Sequence, residues 1–423
     1  MRNKLINDFL EILNKDKPAI ICKNKIKTFK ELGIDIRKMI TVFEKSTKRD
    51  DSILVFSYPY RYDFYVSMFA GILSGRKMVI IDSFNDKKKT EYMLKEANCN
   101  YYLSDKLFKN LKFKLPKNMK LILNSNYKNE IESDIYSDEA KVITYTSATT
   151  AMPKKIVRDL SFLENQIKMI NNNLDYNKDS IVYGILPMYT LLSIFLGNTT
   201  IIKKNPTNIN ADIIIAPIKK LLTLRKKINN VSSVFMGGAI LYKNEALKLK
   251  SLFPDAKINY IYGASEGALI YRTSLDDYIN NIFTYDCPAN GIKVSIDNPN
   301  NNGIGIIKIE GETVIGNCHL TGDLGKLEHN KLTVLGRSKF SNIDKGLYNY
   351  LIDERIRENN PNIIAFSFKF DNEYVCVYKG KLINKIDGIK YIKMKKIPYD
   401  IKHKTKLDYG KTIEIITKII IKK

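Results

Sequence analysis

The N-terminal two thirds of the chain alternate between short apolar runs and longer segments in which apolar residues recur every three or four positions. A short apolar run bounded by turn residues predicts a buried strand, and the wider spacing predicts a helix packed on one face. Strands are predicted at 53–57, 78–82, 101–103, 141–145, 181–186, 211–216, 232–236 and 257–261. Helices are predicted at 30–43, 63–74, 87–97, 161–172, 189–196, 218–229 and 244–253. Buried strands that alternate with helices predict parallel sheets with helices on their faces.

The pattern changes near residue 283, where apolar and polar residues begin to alternate. We predict short strands at 292–296, 305–309, 313–315 and 331–335, which indicate a small antiparallel or barrel-like module. The predicted fold class is α/β: a large domain at 1–336, layered from parallel-type sheets, with the β-rich module at about 283–335. A small α+β domain follows at 337–423. Its tail at 413–423 alternates in part, which favours a last strand over a segment that contacts a membrane surface.

The composition changes the predicted fold class and domain organisation little. The chain has 423 residues, 44% hydrophobic and 27% charged, as expected of a globular protein with two or three domains. The net charge of +24 raises the question of nucleic-acid binding. The lysines are spread over the whole length, and no local cluster combines them with aromatic residues, so we expect no nucleic-acid partner. The positive field would still attract a polyanionic small substrate.

The cysteine and histidine content limits the disulfide, metal-binding and catalytic-triad chemistry that the chain can support. The five cysteines are far apart and include no CxxC pair, which favours reduced thiols in a cytoplasmic protein. Three histidines exclude a His-rich metal site and give little support to a Ser-His-Asp triad. The N-terminus lacks the apolar core of a signal peptide, and the most apolar segments are shorter than the roughly 20 residues that span a bilayer. We expect no transmembrane segment.

The stretch at 145–155 reads YTSATTAMPKK and follows a predicted strand. Its small side chains let the backbone approach a ligand, and its hydroxyl and N–H groups can surround phosphate oxygens beside two lysines. Considered alone, it is explained equally well as a solvated surface turn. Two further loops of small residues, 237–239 and 262–267, leave the carboxyl ends of predicted strands, where open α/β sheets bind their ligands.

Five motifs, by their order and spacing, resemble those of the adenylate-forming (AMP-binding) superfamily: acyl- and aryl-CoA ligases, luciferases and peptide-synthetase adenylation domains. The stretch at 145–155 resembles TSGTTGxPKG, and GGA at 237–239 with Leu241 resembles GGAxL. YGASE at 262–266 resembles YGxTE, and TGD at 321–323 followed by GR at 336–337 resembles the TGD and GRxD/K pair. PYDIKHKTKLDY at 398–409 resembles the tail of some acyl-CoA ligases. The chain is most similar to a compact acyl-CoA ligase.

The resemblance implies an AMP-forming ligase that uses ATP and Mg²⁺. In that reaction an acid's carboxylate oxygen attacks the α-phosphorus, and pyrophosphate leaves. The acyl group then passes from the adenylate to the thiol of CoA or of a carrier protein's phosphopantetheine. Positioning and charge neutralisation dominate such phosphoryl transfer. The resemblance also implies that the small C-terminal domain is a mobile lid with Lys339 as its hinge.

Individual roles follow from the same resemblance. Lys406 would bridge the carboxylate and the α-phosphate, Glu266 would bind Mg²⁺, and Lys154 would hold the outer phosphates; these three are the predicted catalytic residues. The predicted nucleotide-binding residues are Thr146, Ser147, Thr149, Thr150, Gly238, Ala239, Tyr262, Gly263, Ser265, Asp323 and Arg337. The predicted acid pocket comprises Tyr189, Thr190 and Gly237.

Departures from the family pattern leave alternatives open. Ala148, Ala151 and Lys155 replace glycines of the phosphate loop, and an alanine forced to positive φ costs on the order of 1 kcal/mol. Slow turnover, a non-CoA acceptor, or an adenylate-binding homologue with a regulatory or scaffolding role are therefore alternatives to a fully active ligase. In the tail, Lys404 and Lys411 compete with Lys406 for the catalytic role.

The substrate prediction depends on residues 188–192, which contain no acidic side chain. Peptide-synthetase adenylation domains usually hold the substrate's α-amino group with an aspartate there. A fatty or aryl acid without a free α-amine is therefore predicted. The apolar run at 191–196 agrees with an apolar acid, but packing of a buried helix explains it equally well.

Overall fold

The computed structural model describes residues 3–23, 25–56, 60–81, 87–104, 119–123, 125–146, 152–174, 177, 179–204, 209–360, 362–371, 373–399 and 407–421. Within these ranges the chain forms four sheets with helices packed against them. The predicted mixed α/β class with parallel sheets is confirmed. The predicted domain boundary between residues 336 and 337 stays a prediction.

Strands and helices are numbered in chain order. The strands are β1 (Pro18–Cys22), β2 (Lys25–Thr28), β3 (Ser52–Phe56), β4 (Lys77–Ile81), β5 (Cys99–Ser104), β6 (Lys120–Leu123), β7 (Lys141–Tyr145), β8 (Lys155–Asp159), β9 (Ile181–Gly184), β10 (Thr199–Ile201), β11 (Ile213–Pro217), β12 (Ser233–Gly237), β13 (Lys257–Ala264), β14 (Ala268–Ser274), β15 (Thr284–Tyr285), β16 (Cys287–Pro288), β17 (Lys293–Asp297), β18 (Gly305–Glu310), β19 (Cys318–Glu328), β20 (Lys331–Arg337), β21 (Ile364–Phe370), β22 (Glu373–Lys379) and β23 (Ile389–Lys393). The helices are α1 (Lys4–Leu13), α2 (Phe29–Ser46), α3 (Tyr62–Leu73), α4 (Lys87–Ala97), α5 (Leu160–Asn173), α6 (Pro187–Phe195), α7 (Ile218–Leu221), α8 (Lys243–Leu252), α9 (Leu275–Asn280), α10 (Asn349–Glu358) and α11 (Tyr409–Ile421).

Two sheets with parallel centres form the main body. One has the strand order β6-β5-β3-β4-β7-β8, parallel except for the final β7–β8 hairpin. The other runs β16-β14-β13-β12-β11-β9-β10-β1-β2, parallel from β13 to β1 and antiparallel at both edges. Helices α2, α3 and α6 bury apolar residues in the same core cluster. Both sheets therefore pack on one shared core.

Local sequence signals explain where several helices begin. Thr28 and Glu31 form a capping box at the start of α2, in which each side chain accepts a hydrogen bond from the other residue's backbone N–H. The Asp159 carboxylate caps α5 by accepting from the Phe162 N–H at 2.8 Å. Since Asp159 also ends β8, this cap fixes the helix that follows the predicted phosphate loop.

The β-rich module is a five-stranded antiparallel sheet, β15-β20-β19-β18-β17, among the described residues. The prediction of a strand at 313–315 is wrong. A 3₁₀ turn at Ile315–Asn317 occupies that position, because Gly316 takes φ +70°, which no strand residue adopts. Strand β19 was not predicted from the sequence, because the Thr321-Gly322-Asp323 segment interrupts its alternation.

Two other predicted elements need correction. The helix expected at 218–229 ends at Leu221, since a run of like-charged side chains and two asparagines follows and Asn230 takes φ +63°. The tail is a helix, α11, and not a last strand. Tyr409, Thr412 and Ile416 are buried at spacings of three and four, which places them on one helical face.

Helix α6 contains the apolar run considered for substrate binding. Leu191, Leu192, Ile194 and Phe195 are each no more than 3% exposed and belong to the main core cluster. The run is therefore explained by packing and gives no information on the substrate. In the described part of the chain, no helix combines the length and apolarity needed to cross a membrane.

A buried polar cluster joins the C-terminal part to the large sheet. The Tyr242 hydroxyl donates to Asp353 Oδ2 at 2.8 Å, and the Ser367 hydroxyl donates to Oδ1 at 2.6 Å. The Arg357 guanidinium lies 3.7 Å from the Tyr242 ring centroid. Burial raises the pKa of Asp353 to about 7, although Arg357 and the hydrogen bonds from Ser367 and Tyr242 oppose the rise.

This raised pKa predicts a specific pH dependence of stability. The folded protein holds the Asp353 proton up to about pH 7, whereas the unfolded chain releases it near pH 4. The folded state therefore binds more protons in this window, and stability falls as pH rises through it, by on the order of 2–4 kcal/mol. Asp353→Asn should lack this loss in urea unfolding measured between pH 4 and 8. The exposed Asp344→Asn is the control; equal pH profiles for wild type and Asp353→Asn would contradict the prediction.

Candidate active site

Loops from both parallel-centred sheets and from the antiparallel module meet at one place. The Ser265 carbonyl, in the β13–β14 turn, accepts from Arg158 on β8 at 2.9 Å. The Glu266 carbonyl accepts from the Ile315 N–H at 2.8 Å. Tyr262 on β13 contacts Asp323 on β19, and Tyr260 donates to the Ala239 carbonyl at 2.9 Å. The structure thus brings together the described parts of four of the five motifs.

Tyr262, Asp323 and Arg337 form the best-defined part of the site. The Tyr262 hydroxyl donates to Asp323 Oδ2 at 2.8 Å, and Arg337 Nε lies 3.0 Å from Oδ1. Arg337 Nη1 also donates to the Thr321 carbonyl at 2.9 Å. Burial, followed by the Asp323 charge, raises the pKa of Tyr262, so its phenol stays protonated and remains a donor. The Asp323 charge likewise raises the pKa of Arg337.

Asp323 has acceptor capacity left for a ligand. The residue is 8% exposed, and among the described residues its Oδ1 has no hydrogen-bond partner, because the nearby Arg337 N–H does not point at it. A buried carboxylate oxygen without a donor is costly, and vicinal hydroxyl groups of a ribose would supply donors. Asp323 and Arg337 therefore fit the predicted role in binding the sugar of a nucleotide.

Thr146 and Lys154 close the base of the predicted phosphate loop. The Thr146 N–H donates to the Lys154 carbonyl at 3.0 Å, and the Lys154 N–H donates to Thr146 Oγ1 at 3.1 Å. The Lys154 side chain is exposed. Ser147, Thr149 and Thr150, together with Ala148 and Ala151, lie outside the described residues. Lys155 pairs with Tyr145 in the β7–β8 ladder, and its ammonium lies 3.3 Å from the Glu96 carbonyl, so the ladder accommodates its replacement of glycine.

Glu266 occupies the turn after β13 together with the exposed Ser265. Gly263 was predicted to lie in a loop, but it belongs to β13, which continues to Ala264. Ser265 lies in the turn that leads into the antiparallel β14. Glu266 Oε1 lies 3.7 Å from His319 Nε2 on β19. Within the described ranges, no group of three or more His, Cys, Asp or Glu side chains could hold a metal. A single carboxylate fits Mg²⁺ that takes most of its ligands from water and substrate phosphates.

Gly237, Gly238 and Ala239 follow β12. Gly238 takes φ +83°, a conformation that favours glycine, and the space where its Cβ would lie is open. Ala239 is buried, with its carbonyl bound by Tyr260 as described above. The exposed backbone at Gly238 is therefore free for close approach by a ligand, which agrees with the predicted role.

The predicted acid-pocket residues differ in their surroundings. Tyr189 is half-buried at the start of α6, and Gly237 is half-buried at the end of β12. Thr190 is fully buried, and its hydroxyl lies 3.0 Å from the carbonyl oxygens of Gly184 and Leu186. Its hydrogen-bonding capacity thus serves the contact between α6 and β9, and its place in the pocket stays a prediction.

The predicted hinge and tail lysines are only partly covered by the structure. Lys339 is exposed in the 3₁₀ turn Ser338–Phe340 that follows β20. Lys404 and Lys406 lie outside the described residues, whereas Lys411 is exposed in the first turn of α11. Leu407 forms an isolated β-bridge with Tyr399. Tyr409 stacks on Phe340, with ring centroids 3.5 Å apart.

Sequence reasoning missed two residues beside Glu266. Arg158 is 6% exposed and donates from Nη1 to Thr144 Oγ1 at 2.7 Å, in addition to its bond with Ser265. His319 is half-buried. The family motifs contain neither residue. The sequence signal for Arg158 was a charged residue at a buried position of β8, a strand in which buried and exposed positions alternate.

The fold and the site agree with one family. The model of the AMP-binding enzyme family matches residues 13–322, which is most of the chain. The chain belongs to the AMP-binding enzyme family. This confirms the resemblance to adenylate-forming ligases drawn from the motifs.

Similar curated proteins are distant. Gramicidin S synthase 2 from Brevibacillus brevis is 22% identical over 374 residues, which cover 77% of this chain and 8% of that protein. The putative long chain fatty acid-CoA ligase VraA from Staphylococcus epidermidis is 22% identical over 324 residues, which cover 63% of this chain and 67% of that ligase. The chain thus spans less than a tenth of the length of the synthase.

Solved structures match the AMP-binding fold over nearly the whole chain. The o-succinylbenzoate CoA synthetase MenE from Bacillus subtilis, in complex with the acyl-adenylate OSB-AMP, has a TM-score of 0.80 at 15% identity. The alignment covers 97% of this chain and 98% of that one. ATP-bound MatB from Rhodopseudomonas palustris has a TM-score of 0.79 at 14% identity, with 98% and 99% covered. At these identities the likeness establishes the fold alone.

The Tyr262 contact leads to a direct prediction. Tyr262→Phe removes the donor to Asp323 Oδ2 and leaves that oxygen unpaired, so we expect AMP affinity to fall roughly five- to tenfold. Tyr271→Phe is a matched control, since Tyr271 pairs with Tyr262 across the β13–β14 ladder and donates to Asn330. Calorimetric titration with AMP measures both. Equal losses in the two variants would show that the Tyr262 hydroxyl has no special part in nucleotide binding.

Proposed function

We propose that this AMP-binding enzyme activates a carboxylic acid with ATP and passes the acyl group to a thiol. The observation that carries the proposal is the joining of Tyr262, Asp323 and Arg337 to the Glu266 turn and the Thr146–Lys154 base in one place. This set offers a sugar-binding carboxylate, a metal-binding carboxylate and a cationic loop. An AMP-forming ligase needs all three for its nucleotide.

In the first half-reaction, a carboxylate oxygen forms a bond to the α-phosphorus of ATP while the bond to the β-phosphate oxygen breaks. Lys154 and the N–H and hydroxyl groups of 146–150 would hold the leaving pyrophosphate. Glu266 would hold Mg²⁺, which would supply positive charge next to the phosphate oxygens. Ser265 would contact the α-phosphate, and Asp323 with Arg337 would fix the ribose, so that the α-phosphorus lies in line with the acid.

In the second half-reaction, a thiol sulfur attacks the acyl carbon and AMP leaves as a stable phosphate monoester. We propose CoA or a carrier protein's phosphopantetheine as the thiol. A fatty or aryl acid is the proposed substrate, because residues 188–192 contain no acid to hold an α-amino group. Both classes are supported by similar proteins: VraA is named as a long chain fatty acid-CoA ligase and MenE as an o-succinylbenzoate CoA synthetase. The five unpaired cysteines support a cytoplasmic location.

Acid-dependent exchange of labelled pyrophosphate into ATP tests the proposal. A panel of fatty and aryl acids should contain at least one that supports exchange, and Glu266→Gln should lower its rate at least about a hundredfold. Glu310→Gln is the control, since Glu310 lies on the neighbouring β18 and pairs with Lys308. AMP binding without exchange for any acid would support the alternative, an adenylate-binding homologue with a regulatory or scaffolding role.

The same assay decides which tail lysine is catalytic. Lys406→Ala should reduce exchange by about three orders of magnitude, because a positive charge at the developing pentavalent centre is lost. Lys411→Ala should leave the rate near that of wild type, since its ammonium lies on the exposed first turn of α11, 3.7 Å from Asp408. The reverse result would move the catalytic role to Lys411.

A further inference from the structure

Arg158 is a buried guanidinium that bridges two parts of the proposed nucleotide site. Its Nη1 donates to the Thr144 hydroxyl at 2.7 Å, and its Nη2 donates to the Ser265 carbonyl at 2.9 Å. Thr144 lies two residues before the Thr146–Lys154 base, and Ser265 precedes Glu266. One side chain therefore fastens the turn that carries the metal-binding carboxylate to the hairpin that carries the phosphate loop.

The backbone of Glu266 is held on both sides. Arg158 fixes the carbonyl of Ser265, and the Ile315 N–H fixes the carbonyl of Glu266 itself at 2.8 Å. With both carbonyls bound, the two peptide units that flank the Glu266 Cα have little freedom to rotate. The position of Glu266 relative to the Thr146–Lys154 base then depends on these two contacts.

The positive charge of Arg158 also lies close to the Glu266 carboxylate. Burial lowers its pKa to about 10, and the nearby Glu266 carboxylate opposes this shift, so the guanidinium remains protonated at neutral pH. A buried charge is retained at a cost in desolvation. Its Nε has no hydrogen-bond partner among the residues that the structure describes. The guanidinium thus contributes a fixed positive charge beside the place where pyrophosphate and a cation would lie.

We propose that Arg158 is a positioning residue that orients Glu266 for nucleotides carrying β- and γ-phosphates with a divalent cation, and not for AMP. The inference rests on the proposed function of this site. Sugar and adenine contacts would involve Tyr262, Asp323 and Ala239, to which Arg158 makes no described bond. Of Ser265, the residue proposed to contact the α-phosphate, Arg158 binds only the backbone carbonyl in the described structure. The selectivity between MgATP and AMP is therefore the property that Arg158 controls.

The test compares two affinities in the full-length protein. Calorimetry measures the dissociation constants of a non-hydrolysable ATP analogue with Mg²⁺ and of AMP. Arg158→Gln should weaken binding of the ATP analogue roughly ten- to hundredfold and change AMP binding less than about twofold. Arg158→Lys should be intermediate, because lysine keeps the charge but lacks the planar fork that reaches two acceptors. Arg272→Gln is the control: Arg272 lies on β14, 3.4 Å from Asn259.

Equal losses for both nucleotides in Arg158→Gln, or no loss for either, would overturn the proposal. If Arg158→Gln does not fold, Thr144→Val is the deciding variant, because it removes one hydrogen-bond acceptor of Arg158 and keeps the guanidinium charge. A selective loss of ATP-analogue binding then supports the proposal. An unchanged ratio of the ATP-analogue and AMP dissociation constants overturns it. A wild type that binds the ATP analogue but shows no acid-dependent exchange contradicts the proposed function alone, and the affinity ratio still tests Arg158. A wild type that binds neither nucleotide contradicts both.

Discussion

The site depends on the pairing of the buried Asp323 carboxylate with Arg337 and Tyr262. A buried carboxylate without partners would be too costly to keep ionised. Its two partners come from the large sheet and from the last residue of β20, where the chain leaves the antiparallel module. The pairing thus fixes three parts of the chain relative to one another, and it leaves one carboxylate oxygen for a ligand. Arg158 has a comparable effect between the β7–β8 hairpin and the Glu266 turn.

Much of the fold could be predicted because buried parallel strands have a strong local pattern. The strands at β3, β4, β11, β12 and β13 are short apolar runs that few other structures would produce. The misses occurred where tertiary contacts or single backbone conformations override the pattern. Gly316 converts an expected strand into a turn. The isoleucine-rich tail alternates in sequence, yet packing of Ile416 in the C-terminal core selects a helix.

The candidate site was predictable to the extent that family motifs carry it. Glu266, Asp323 and Arg337 were singled out from two separate motifs, and the structure places them around one loop cluster. Arg158 and His319 were not singled out, because each lies at a position that no motif specifies. Their place in the site depends on contacts with residues distant in the sequence, Ser265 for Arg158 and Glu266 for His319. Such contacts depend on strand register. Arg158 is opposite Val142 in the β7–β8 ladder, and this alignment places Thr144 two residues farther along the same face of β7.

The route of oxygen between acid and phosphate tests the central claim most directly. An accepted acid carrying a heavy-oxygen label in its carboxylate is turned over with ATP, Mg²⁺ and a thiol acceptor, and the products are analysed by mass spectrometry. Attack of the carboxylate on the α-phosphorus predicts AMP that has gained one labelled oxygen, together with unlabelled pyrophosphate. Formation of ADP and labelled inorganic phosphate, or AMP without the label, would contradict acid activation through an adenylate.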